Sequence, residues 1–281
     1  MPSIKIELLD HEQNVRVEGD RHSQSSHDRV MEREGEDFTY LACQQLEYAA
    51  GDKFRITTEH PNRYLVVQLD EALFPSLVYV KGTSWEYEVP LSYKQAYPEK
   101  AFTGTKHYVS VRYATESEIT QYRNLAWNTH DQKHDSNAYP HAHANVETRN
   151  DPTFFARNAI DGIYANCNHG SYPYQSWGIN QQADAELTLD FGRMVELDRI
   201  GLVLRGDFPH DSWWKEVTIA FSDGSTEQLY PVKSRSIQYF EIQPRKVEWL
   251  VLKRLIKGDE ALFPALTQLE AYGKNVDVTE K

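Results

Sequence analysis

Two short segments of this chain concentrate side chains that can hold a ligand or move a proton. Residues 166–177 carry His169, Tyr172, Tyr174 and Trp177, and residues 205–214 gather Arg205, Asp207, His210, Asp211, Trp213 and Trp214. Their polar, glycine- and proline-marked composition points to loops, and loops held by a rigid scaffold carry function more often than cores do. Each candidate also has a structural explanation. Trp213 is in phase with Val217, Ile219 and Phe221, so alternation assigns it to the core and leaves Trp214 as the ring free to stack. Arg205 lies off the face of Ile200, Leu202 and Leu204 at a strand end, where a surface ion pair explains it equally well. Asp207 and Asp211 suit turns, and Trp177 suits core packing. His169, beside Gly170, has little to pack on.

A second constellation is His141-x-His143. On a strand both imidazoles would face one side, ~7 Å apart, a spacing that serves zinc. No cysteine or carboxylate is spaced to complete the set, so a plain pair is preferred, although His169 or His210 could approach it in the fold. Hydrolase signatures are absent: there is no Gly-x-Ser-x-Gly elbow, no His-Glu-x-x-His and no glycine-rich phosphate loop. His210 and Asp211 are chain neighbours, which does not make them a catalytic dyad. Cys43 and Cys167 lie in different halves and form no disulfide framework; each is expected as a small buried side chain.

These residues must be positioned by strands. Leu187, Leu189 and Phe191 share one face against Thr188 and Asp190, and period two of this kind marks half-buried strands. Residues 248–252 suit a central strand, and Asp223-Gly224 suits a hairpin. The first half has the same texture, from Ile4–Leu9 to Tyr108–Tyr113. Between the halves, Thr115 followed by Glu116 and Glu118 predicts a short capped helix. The expected architecture is therefore all-β: two β-sandwiches, 1–117 and 118–281, joined by that helix. Polar stretches at 20–36 and 128–137 are expected as loops. The hexapeptide Asp-Glu-Ala-Leu-Phe-Pro occurs at 70–75 and again at 259–264, which suggests two related sandwiches.

A net charge of −12 argues against nucleic acid or an anionic membrane as partner, since both need clustered cations. The N-terminus resembles a strand rather than a secretion signal. No apolar run approaches the ~20 residues that span a bilayer, and no Asn-x-Ser/Thr glycosylation acceptor occurs. A cytoplasmic protein is expected, with secretion after loss of a signal as the alternative.

From 124 to 273 the strands carry an ordered set of marks: Asn-Leu-Ala (124–126), Ala-Arg-Asn-Ala-Ile-Asp-Gly (156–162), Ser-Trp-Gly (176–178), Ala-Glu-Leu-Thr-Leu-Asp-Phe-Gly (185–192), Phe-Ser-Asp-Gly (221–224) and Leu-Glu-Ala-Tyr-Gly (269–273). This order resembles the discoidin, or coagulation-factor C-type, family of galactose-binding-like jelly rolls. The resemblance implies a non-catalytic carbohydrate site built from loops at one end. Such a site would centre on His169, Arg205, His210 and Trp214, with Tyr172, Tyr174 and Asp207 around it. It also implies a structural calcium on Asp161 and Glu270, although Ile163 departs from the pattern and the threonine before Trp177 is missing. An alternative is a metal-dependent hydrolase similar to allantoicase, which is built on tandem sandwiches and would use His141, His143, His169 and His210. A protein-docking scaffold is a third reading.

Overall fold

In the computed structural model, which describes residues 2–19 and 29–276, the chain is all-β apart from short helical turns. It divides into two compact units. One comprises residues up to Ala114 together with Ser136–Ala138, and the other comprises Thr115–Asp135 and everything from Tyr139 onward.

The first unit packs two antiparallel sheets. One contains Ser3–Leu9, Glu32–Glu36, Lys53–Thr58 and Ser84–Glu88, and the other contains Phe38–Cys43, Arg63–Gln68, Ser76–Val80 and His107–Tyr113. Alternation drives the layering, since Ile4, Ile6 and Leu8, Phe54 and Ile56, and Leu65 and Val67 all enter one apolar core. Of the stretch expected as a loop at 20–36, residues 20–28 lie outside the described residues. Arg29–Val30 and Glu32–Glu36 are strands, held by pairing with Val17–Glu18 and Ser3–Leu9 despite their polar side chains.

The second unit opens with the capped helix Glu116–Thr120. Thr115 Oγ1 accepts from Glu118 N, and Glu118 Oε2 accepts from Thr115 N. Its sheet is organised around two long strands, Leu187–Leu204 and Gln238–Lys257, paired along most of their length. His141–Ala144 flanks the beginning of Leu187–Leu204, and Ala265–Asn275 flanks its end. The change of neighbour occurs at Gly192, whose φ is +66° and where a Cβ would lie 2.4 Å from the Tyr139 ring. Only glycine tolerates both conditions without strain. Trp214–Phe221 and Thr226–Leu229 form the hairpin turned by Asp223-Gly224, with Gly224 at φ +85°.

Residues 128–137 do form a loop, but its start is buried and not solvated. Arg157, itself buried, donates to the carbonyls of Asp131 (2.7 Å) and Thr129 (3.2 Å) and to Asn158 Oδ1 (3.1 Å). The two copies of the hexapeptide sit in different topologies. Residues 70–75 close a hairpin between directly paired strands, whereas 259–264 join Gln238–Lys257 to Ala265–Asn275, which are separated in the sheet by Leu187–Leu204. Cys43 is buried, but Cys167 is exposed. Its loop is anchored instead by Asn166, whose Nδ2 donates to Leu204 O (2.8 Å) and Arg235 O (2.9 Å).

Candidate functional site

Leu204 ends its strand opposite Leu266, and Arg205 N donates to Ala265 O at 3.0 Å. Trp177–Gly178 pairs with the same two residues, Leu266 and Ala265. Three loops therefore leave the sandwich at one end: 164–176, 205–213 and 258–264. Gly206 N donates to Asn166 O (2.8 Å), which ties the first two together.

The buried guanidinium of Arg205 secures the arrangement. Its Nη2 donates to Phe263 O (2.5 Å), and its Nε donates to His210 O (3.1 Å). Asp207 Oδ1 lies 3.0 Å from Arg205 Nε as an ion pair without hydrogen-bond geometry, while Oδ2 bonds His169 Nδ1 at 2.5 Å. The His169 and His210 rings meet edge to face with centroids 5.0 Å apart. One buried cation and one buried anion thus fix three loops. Breaking such a pair is costly because the survivor remains buried and uncompensated.

His169, Arg205, His210 and Phe263 line a pocket of about 200 Å³ together with Arg149, Phe154, Asn180 and Gln181. Three of these lining residues, Arg149 (φ 55°), Asn180 (φ 48°) and Gln181 (φ 61°), are left-handed without being glycine. Such backbone costs on the order of 1–3 kcal/mol per residue and gathers where ligands are held. Thr148 Oγ1 accepts from Asn180 N (2.9 Å) and locks the turn.

The loops from 166 and from 205 converge, bringing His169, Arg205, Asp207 and His210 together. Tyr172 and Tyr174 are half-buried and do not line the pocket. The assignment of the two tryptophans is corrected. Trp214 is 0% exposed and packs against Trp177, so it offers no stacking face. Trp213 is the partly buried one, lying over Gly258 where any Cβ would meet its ring at 2.2 Å. The cause is a bulge. Trp214 pairs with Lys257, Glu216 with Ile256 and Thr218 with Lys253, so the strand first advances two residues against one and then two against three. A bulge shifts the alternation by one residue, so counting back from Val217 selects the wrong tryptophan.

The aromatic wall is supplied instead by Phe263, 45% exposed. Its signal in the sequence was a phenylalanine in a polar loop beside proline, there absorbed into the hexapeptide echo. Arg149, Asn180 and Gln181 gave no signal, because residue type does not report a left-handed backbone.

Candidate metal groups are engaged elsewhere. His141 and His143 share a strand with near-parallel rings 5.5 Å apart, and His141 Nδ1 bonds Asp131 Oδ1 at 2.7 Å. Burial alone would lower the His141 pKa, but the charge and hydrogen bond of Asp131 outweigh it and the net direction is up. His169 and His210 pair with each other instead. Asp161 accepts from Gln175, Gln268 and Ile163 N, whereas Glu270 accepts from the Tyr164 hydroxyl. The two carboxylates serve different partners, and among the described residues no third histidine, cysteine or carboxylate joins them. By themselves two carboxylates fall short of the roughly six to eight oxygens that calcium takes, and those of Asp161 already accept from two side-chain amides. Asp70, Glu71 and His107 do lie within 4.8 Å of one another. All three already bond the backbone: Asp70 binds Ala72 N and Phe102 N, Glu71 binds Tyr108 N, and His107 binds Leu46 O and Gly104 O.

No protein-family model matches the chain, and no curated relative matches it. Its backbone is similar to several solved sugar-binding modules. The family 32 module of NanJ from C. perfringens, in complex with galactose, is 18% identical, with a TM-score of 0.37 over 47% of this chain and 91% of that one. Chitosan-binding module 1 of a Paenibacillus sp. IK-5 chitosanase/glucanase is 18% identical, with a TM-score of 0.38 over 54% and 99%. The lectin domain of lectinolysin complexed with Lewis b antigen is 13% identical, with a TM-score of 0.39 over 54% and 97%. Each is a likeness of backbone and transfers no residue role to this chain.

Proposed function

We propose that this pocket binds one terminal sugar residue of a carbohydrate and holds it without transforming it. The observation that carries this reading is the partly exposed Phe263, which lines one pocket together with a set of polar side chains. A pyranose has an apolar face that stacks on an aromatic ring, while its hydroxyls need donors and acceptors held in place. His169, His210, Arg149, Asn180 and Gln181 supply these groups, and Asp207 fixes the His169 ring through Nδ1. At about 200 Å³ the cleft is smaller than the roughly 300–1,000 Å³ that engulf drug-sized ligands, so it suits the end of a glycan. The test is a glycan array followed by calorimetric titration of the best binder. Phe263→Ala should weaken binding by ~1–3 kcal/mol, the scale of aromatic stacking platforms, with an unchanged melting temperature. Wild-type affinity in that variant contradicts the reading.

A hydrolytic role has one observation in its favour, the Asp207–His169 pair at the pocket, since a carboxylate-oriented imidazole can act as a base. Cleavage of the bound glycan on prolonged incubation, abolished in His169→Ala, would establish it. A docking role is favoured by Phe208, which is 79% exposed between two residues of the site. Phe208→Ala should then lose a protein partner while retaining the glycan.

A further inference from the structure

The family resemblance implies a calcium ion on Asp161, and oxygens do converge there, but around a nitrogen. The side-chain nitrogen of Gln268 lies 2.8 Å from Asn158 O, 2.9 Å from Asp161 Oδ1 and 2.6 Å from Thr267 O. The Oε1 of the same amide accepts from Gly162 N at 3.0 Å. A second amide, Gln175 Nε2, donates to Asp161 Oδ2 at 2.7 Å. Asp161, Gln175 and Gln268 are all buried.

We propose that the carboxamide of Gln268, backed by that of Gln175, stands in for the cation, so that this sandwich fastens its Asp-Gly turn without metal. A hard divalent ion draws its affinity from several charged or carbonyl oxygens pointing at one centre. Here the centre is filled by the positive end of an amide dipole, and Asp161 is the one carboxylate bonded to it, its charge already partly offset by the buried Arg157 guanidinium. The amide has two hydrogens and faces three oxygens, so its donor capacity is fully spent. Its own oxygen meanwhile holds the backbone of the turn. An ion could enter only by displacing both amides from Asp161 and leaving their buried donors unpaired, which the interior penalises. Glu270 stays outside the arrangement, bonded to Tyr164.

Gln268→Glu replaces the donor with a second carboxylate against Asp161 and recreates an acidic pair that calls for a cation. The experiment is thermal melting of the full chain in millimolar calcium chloride and in EGTA, together with calorimetric titration of calcium into the wild type. The wild type should melt at the same temperature in both buffers and give no binding heat. Gln268→Glu should melt lower in EGTA and recover saturably with calcium. A wild-type melting temperature that rises with calcium, or a saturable heat, overturns the proposal, as does a folded Gln268→Glu that ignores calcium. If that variant fails to fold in either buffer, the wild-type titration alone decides.

Discussion

The same hexapeptide makes two different loops, one in each unit. In both, the leading aspartate shapes the turn identically: Asp70 Oδ1 accepts from Ala72 N (2.8 Å), and Asp259 Oδ1 accepts from Ala261 N (3.1 Å). Beyond that bond they diverge. Asp70 reaches Phe102 N with its second oxygen (2.7 Å), and Leu73 is buried in the core at 8% exposure. In the other loop Leu262 is 53% exposed, and the carbonyl of Phe263 is held by Arg205 at the mouth of the pocket. Six residues therefore encode a turn but not a task. The task comes from the neighbour, which is the core of the first unit in one case and a buried guanidinium in the other.

Removing that guanidinium should have the largest effect and take away the anchor that sets the second loop apart from the first. Arg205→Met leaves Asp207 buried without its cation and releases the His210 and Phe263 carbonyls. A loss of about 3–5 kcal/mol is expected, the scale of a broken buried pair, together with loss of glycan binding. Chemical denaturation and titration check both, and a variant as stable as wild type contradicts the hub assigned to Arg205.

The neighbouring tryptophans sharpen the contrast between core and site. Trp214→Ala should cost ~3–5 kcal/mol as a fully buried aromatic. Trp213→Ala, partly buried over Gly258, should cost less. Equal losses in denaturant melts would mean that the bulge does not set their phases.

These cases show what the sequence could and could not reveal. The Thr115–Glu118 cap, the Leu187–Phe191 alternation and the Asp223-Gly224 hairpin are local, so composition over a few residues sufficed. The meeting of His169 with Asp207 depends on loops 38 positions apart and was approachable only through the order of marks along the second sandwich. The burial of Trp214 was hidden because a bulge is set by the partner strand, and alternation assumes there is none. Phe263 was hidden because exposure is defined by what fails to pack on a ring, which no local pattern records.

A smaller, pH-dependent effect separates the second histidine constellation from the pocket. The folded pKa of His141 is raised, so its pairing with Asp131 stabilises fully below the unfolded value near 6.5 and is lost as pH rises through the folded value. Asp161, pushed up to about 6 by burial, loses stability in the lower window between 3.8 and 6, so the range above 6.5 isolates His141. The melting temperature of wild type should fall relative to His141→Gln between pH 6.5 and 8. Parallel curves would show that the Asp131 pairing adds no proton-linked stability.

The most direct measurement is a paired titration of one glycan into Phe263→Ala and Phe74→Ala. Both rings stand at the fifth position of the shared hexapeptide, and both are about half exposed. Affinity should fall by roughly fivefold to 150-fold in Phe263→Ala, the equivalent of ~1–3 kcal/mol of stacking, and stay at the wild-type value in Phe74→Ala, with neither melting temperature moved appreciably. Equal affinities in the two variants, or a loss confined to Phe74→Ala, would contradict the assignment of the pocket as the sugar site.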